Sequence, residues 1–145
     1  MCGIAGIISM NPKHVSADRL KQMTDAIAHR GPDGEGFWLN EKKTVGFGHR
    51  RLAIIDLSEA GKQPMQFPTP FGEGLGVRSS ITYNGELYNY IELREDLKKK
   101  GYQFHTQTDT EVILAAYDHW KEECLQQFDG MFAFAIWDEQ EQTLF

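Results

Sequence analysis

The order of apolar patterns constrains this chain most. "GIAGIIS" (residues 3–9) is short, apolar and β-branched, and reads as a buried strand. "SADRLKQMTDAIAHR" follows with Ser16 as N-cap and Leu20, Met23 and Ile27 at helical spacing, which predicts an amphipathic helix. "HRGPDGEG" holds the breakers Gly31-Pro32 and Asp33-Gly34 and ends it. "TVGFGHRRLAIIDL" then predicts one long strand or two linked ones. The Pro- and Gly-rich "SEAGKQPMQFPTPFGEGLGVRS" predicts a loop or an irregular hairpin. "SSITYNGELY" reads as a strand running into a turn at Asn84-Gly85. Two helices come next in succession. "YIELREDLKKKG" has a basic last turn and Gly101 as its stop, and "DTEVILAAYDHWKEE" opens on Thr108 and Glu111 as a capping box. "GMFAFAIWDEQEQTLF" predicts two strands around "DEQEQ". Runs of strands and runs of helices, without strict alternation, predict layered α+β rather than a doubly wound sheet.

With 145 residues this is one domain, able to bury a core without disulfides or metal. A net charge of −6 without a basic block argues against nucleic acid and against anionic membrane surfaces as partners. The longest apolar run, "MFAFAIW", is far short of a membrane span. Two cysteines, Cys2 and Cys124, are too few for a disulfide framework or a cysteine zinc site. A reduced, cytoplasmic setting is expected. His14, His29, His49, His105 and His119 show no metal-ligand spacing, so no metal is expected. "GEGLG" lacks the full dinucleotide spacing and no helix pattern follows it. The 66–78 stretch carries no motif. The abrupt end at "EQTLF" suggests a domain cut from a longer chain.

Cys2 has two readings. It is a small buried residue of the first strand, or it is a nucleophile once Met1 is trimmed. In the second case thiol and α-amine sit on one residue, with ordinary pKa values of about 8.5 and 7.7–8.0, so proton transfer between them is uphill by only about 1 kcal/mol. A chain-terminal amine can thus serve as general base for its own side chain. Asn84 and Gly85 offer a side-chain NH2 and an unobstructed backbone N–H to an oxyanion, but read alone they signal a turn. One of Arg50 and Arg51 could fork onto a carboxylate, and spacing does not choose between them. Asp109 could receive an ammonium, or could simply complement the dipole of its helix. His29 and His49 are candidate partners for a cysteine.

Taken together, "MCGIAGI", "HRGPDG", "FGHRRLAIIDL", "YNGELYNY", "TDTEVIL" and "DGMFAFAIWD" resemble, in order and over nearly the whole chain, the class II glutamine amidotransferases. Within them "HRGPD" and "NGELYN" favour the asparagine synthetase B branch. The resemblance implies an N-terminal nucleophile (Ntn) hydrolase αββα sandwich, two mainly antiparallel sheets between helical layers. It implies hydrolysis of L-glutamine to glutamate and ammonia. By motif, Cys2 resembles the nucleophile, and Asn84 and Gly85 the oxyanion hole. Arg51 resembles the residue for the α-carboxylate, with Leu52, Ala53, Ile54 and Ile55 shaping the pocket. Glu86 and Asp109 resemble the receivers of the α-amino end. His29 and His49 gain no role. Residues 1–145 would then be a glutaminase domain truncated before a C-terminal synthetase domain. ATP and magnesium are expected only there, no cofactor is expected here, and a homodimer is allowed. The alternatives are the same fold feeding ammonia to another acceptor, and a non-catalytic amino-acid-binding domain.

Overall fold

The computed structural model describes residues 2–68 and 76–145. Strands β1 (Gly3–Ile8), β2 (Gly34–Leu39) and β3 (Val45–Arg51) form one antiparallel sheet in the order β1-β3-β2. Strands β4 (Met65–Pro68), β5 (Val77–Leu87), β6 (Gly130–Asp138) and β7 (Thr143–Leu144) form a second, also antiparallel and in sequence order. Helix α1 (Ala17–Ala26) packs on the first sheet. Helix α3 (Asp109–Trp120) packs on the second, with α2 (Tyr90–Lys99) against α3. The result is the expected sandwich of two sheets between helical layers.

The "VGFGH" run of β3 explains how the layers meet. Successive side chains of a strand point to opposite faces. On one face Gly46 and Gly48 let α1 approach: a Cβ at Gly48 would lie 2.6 Å from Thr24, and one at Gly46 2.9 Å from Leu20. On the other face Val45 and Phe47 join Trp137 of β6 in a core between the sheets. The larger core lies under α2 and α3, where Ile81, Tyr83 and Leu87 meet Leu93, Leu97 and residues 112–117.

His49 continues the inward face of β3 and is 1% exposed. Its Nε2 donates to the Tyr83 carbonyl at 3.1 Å, which holds the two sheets together. Burial pushes the imidazole down to about 4, against the pull of that carbonyl and with a smaller contribution from Arg51. The folded protein therefore holds a neutral His49 that the unfolded chain would protonate. This stabilisation is complete above about pH 6.5 and is lost as pH falls toward 4, by about 3 kcal/mol. Urea midpoints measured across that range should decline accordingly, and the His49→Gln variant should lose this part of the decline.

Five expectations need correction. The strand expected over "TVGFGHRRLAIIDL" stops at Arg51, and residues 52–57 form no strand, Ala53 N donating instead to the Asp33 side chain. Strand β2 falls where the sequence shows breakers, because its two glycines resemble a turn. Gly36 is required there, since a Cβ would run into the Gln63 carbonyl oxygen. Met23 is 39% exposed, and the buried face of α1 is Leu20 and Thr24, the residues that fit the β3 glycines. Asn84-Gly85 is no turn: both sit inside β5, opposite Ala133 and Phe132 of β6, and the chain turns at Tyr88-Asn89. The capping box is half formed. Thr108 accepts from Glu111 N, but the Glu111 carboxylate reaches past it to His105 N (2.9 Å) and Thr106 N (2.8 Å). At the start of the 66–78 stretch, Met65–Pro68 pairs with β5 as an irregular hairpin, and most of "GEGLG" lies outside the described residues. No helix among the described residues is long and apolar enough to cross a membrane.

Candidate active site

Antiparallel register brings the site together. Gly3 at the start of β1 lies opposite Arg50 near the end of β3, so Cys2 and Leu52 become neighbours. The Cys2 sulfur accepts from Leu52 N at 3.3 Å and donates to Leu52 O at 3.6 Å. Arg30 Nε donates to the Cys2 carbonyl at 3.0 Å. Both motifs flanking the thiol are thus structural clasps. Asp33 of "HRGPDG" donates its N–H to Arg51 O (2.9 Å) and accepts from Ala53 N (2.9 Å).

Leu52, Ala53, Ile54 and Ile55 follow β3 without regular structure and wall a cavity of about 150 Å3. Cys2, Arg51, Gly85, Glu86 and Asp109 line the same cavity. This volume is below that of drug-sized sites and suits a small ligand. The structure separates the two arginines. Arg50 donates to Thr24 O at 3.1 Å and pairs with Asp25 and Glu35, so it is committed to α1 and β2. Arg51 lines the cavity while its guanidinium donates to Ser58 O (2.8 Å) and Asp56 O, tying down the 52–58 loop. His29 is exposed and His49 is buried between the sheets, and neither lines the cavity.

On the second sheet, Gly85 and Glu86 lie opposite Phe132 and Met131, which brings Met131 to the cavity. Asn84 does not line it. By alternation it shares the face of Thr82, which donates to Gly48 O of the first sheet, so its amide points toward the sheet that carries Cys2. Its Oδ1 is buried with no hydrogen-bond partner among the described residues. Asp109 is 5% exposed at the start of α3, and its Oδ2 accepts from Tyr83 Oη (2.8 Å) and Leu87 N (3.1 Å). It is both a helix-terminal carboxylate and a cavity wall.

Several lining residues escaped the sequence reading: Asp56, Gly61, Gln63, Tyr83, Thr108, Thr110 and Met131. Gln63 has no local signal, because its role is a bridge. Its Nε2 donates to Thr110 Oγ1 (3.2 Å) and its Oε1 accepts from Tyr83 N (2.7 Å), joining α3 to β5. Among the described residues no group of histidine, cysteine and carboxylate side chains could hold a metal ion.

A family model described as a glutamine amidotransferase domain matches residues 1–145. The chain is similar to asparagine synthetase [glutamine-hydrolyzing] 1 of Bacillus subtilis, 47% identical over 148 residues. That alignment covers 100% of this chain and 22% of the relative. A putative asparagine synthetase [glutamine-hydrolyzing] 2 of Methanocaldococcus jannaschii is 43% identical over 154 residues, covering 100% and 29%. The chain therefore spans less than a third of the length of these curated relatives. Among solved structures, the glutamine phosphoribosylpyrophosphate amidotransferase of B. subtilis aligns over 96% of this chain and 35% of its own. The TM-score is 0.74 at 21% identity, which bears on the fold: two antiparallel sheets between helical layers.

Proposed function

Since this chain belongs to the glutamine amidotransferase domain family, we propose that it hydrolyses L-glutamine through a thioester on Cys2. The observation that carries the reading is one small cavity walled by a thiol, an arginine and a buried carboxylate. Arg51 takes the α-carboxylate of glutamine, and Glu86 and Asp109 take its ammonium. Residues 52–55 hold the methylene chain. A free amino acid offers both charges, whereas a glutamine within a peptide offers neither at its α-carbon, so the pocket selects the former.

With Met1 removed, the Cys2 α-amine accepts the thiol proton. The sulfur attacks the side-chain carboxamide carbon. Leu52 N–H already points at that sulfur and orients it. The tetrahedral oxyanion is held by the Asn84 side-chain NH2 and the Gly85 N–H. Ammonia leaves with the proton carried by the α-amine. Water, deprotonated by the same amine, then releases glutamate from the thioester.

Residues 1–145 act in this reading as a glutaminase domain ahead of a synthetase portion. The relatives' names and greater length support ammonia delivery to asparagine synthesis; ATP and magnesium would bind in that other portion. A cytoplasmic location keeps the Cys2 thiol reduced. The test is N-terminal mass spectrometry of the full-length protein beside an assay of glutamate release. Loss of Met1 with glutamine-dependent glutamate formation is expected. A free Cys2 terminus with no glutamate formed, synthetase substrates present, would overturn the reading.

A further inference from the structure

Asp109 alone does not explain how a carboxylate on a helix keeps one oxygen ready for a ligand. Its Oδ2 takes two donors, the Tyr83 hydroxyl at 2.8 Å and Leu87 N–H at 3.1 Å. A carboxylate oxygen has two lone-pair sites, so Oδ2 is fully occupied. Tyr83 and Leu87 both belong to β5, the strand that carries Gly85 between them. The Asp109 carboxylate is thus aimed by the same strand that presents the oxyanion donor.

Tyr83 is itself fixed. It is 3% exposed, its N–H donates to Gln63 Oε1 at 2.7 Å, and its carbonyl accepts from His49 at 3.1 Å. Burial first, and the Asp109 charge second, hold its hydroxyl well above the usual phenol range. It remains a donor at any physiological pH and cannot compete with Asp109 for a cation.

We propose that Tyr83 is a positioning residue that sets selectivity for α-amino substrates, by occupying Asp109 Oδ2 and leaving Oδ1 to receive a ligand ammonium. The inference rests on the glutaminase reading, and it concerns only ligand recognition. Tyr83→Phe removes one hydroxyl and keeps the ring in the core. Freed of that donor, the carboxylate keeps only the Leu87 N–H on Oδ2 and turns about its last bond, so Oδ1 is no longer held in one place. A ligand carrying an α-ammonium loses affinity. One without it does not.

The experiment uses the full-length protein with Cys2→Ala as background, so that nothing turns over. Calorimetry gives the Kd of L-glutamine, and displacement gives that of glutaramate, the same molecule without its α-amino group. Tyr83→Phe should weaken glutamine about tenfold and glutaramate less than twofold. In an Asp109→Asn background the same substitution should have no further effect on glutamine, since the two act as one unit. Equal losses for the two ligands, or additive losses in the Asp109→Asn background, would overturn the proposal even if the variant's fold is weakened. Glutamine binding with the expected selectivity, in a protein that does not hydrolyse glutamine with Cys2 intact, would leave this inference standing and remove the catalytic one. Absence of glutamine binding altogether would remove both.

Discussion

Alanine at position 2 should lower glutamine hydrolysis by about 10⁴-fold or more and leave glutamine affinity within about twofold. The asymmetry follows from the way the site is built. Among the described residues the sulfur's two hydrogen bonds are both with Leu52, through its N–H and carbonyl. The groups assigned to the two ends of glutamine are carried elsewhere: Arg51 closes β3, Glu86 lies in β5 and Asp109 opens α3. Removing one sulfur atom leaves those elements and their mutual hydrogen bonds untouched. Glutamate release and calorimetric titration on the same preparation check both halves. Retained turnover would remove Cys2 as nucleophile. Lost binding would make the thiol a ligand contact rather than a reactive group.

Alanine at position 85 is expected to lower kcat by about 10²-fold and to cost about 1–3 kcal/mol of stability. A Cβ there would lie 2.6 Å from the Phe132 Cα and 2.8 Å from its Cβ, and would run into the Met131 carbonyl oxygen. These are backbone or near-backbone atoms of β6, paired to β5 along nine registered positions from Ser79 to Leu87. They cannot swing aside as the end of a flexible side chain would. The two strands must part at Gly85, which displaces its N–H from the oxyanion and drags Asn84 with it. Stopped-flow hydrolysis and urea unfolding read the two effects separately. A Gly85→Ala protein with unchanged kcat would show that this N–H holds no charge in the reaction.

What was legible in the sequence was legible for local reasons. Ser16 and Thr108 cap their helices from three residues away, and a cap works within one turn whatever the rest of the fold does. The Gly101 stop is equally local, with φ of +99°. Asn84-Gly85 shows the limit. Its turn signal is local too, but nine registered pairs with β6 outweigh it, and the glycine serves a close strand approach instead. Strand β2 was hidden in the same way, by glycines whose cause lies in the distant Gln63 carbonyl. In the site, Cys2, Arg51 to Ile55, Gly85, Glu86 and Asp109 come from the motifs and line one cavity, but the same motifs gave no sign that Asp56, Tyr83 or Met131 line it too. Gln63 carries no local signal at all, because its bridge is made to Tyr83 and Thr110, which are distant in the sequence. Arg50 and Arg51 are indistinguishable by spacing; Asp25 and Glu35 beside Arg50, and the cavity beside Arg51, separate them.

The two clasps on Cys2 have a kinetic consequence. The first residues of a chain usually fray, and a nucleophile in that position would sample many orientations between encounters. Arg30 grips the Cys2 carbonyl and Leu52 grips its sulfur, so backbone and thiol are both held. Fixing one residue's backbone costs roughly 1–2 kcal/mol in entropy, and here that cost falls once, on folding, rather than at every turnover. In the proposed reaction this raises the effective molarity of the thiol at the bound amide before glutamine arrives. A loose end of polypeptide behaves, in rate terms, like a group mounted in the middle of a strand.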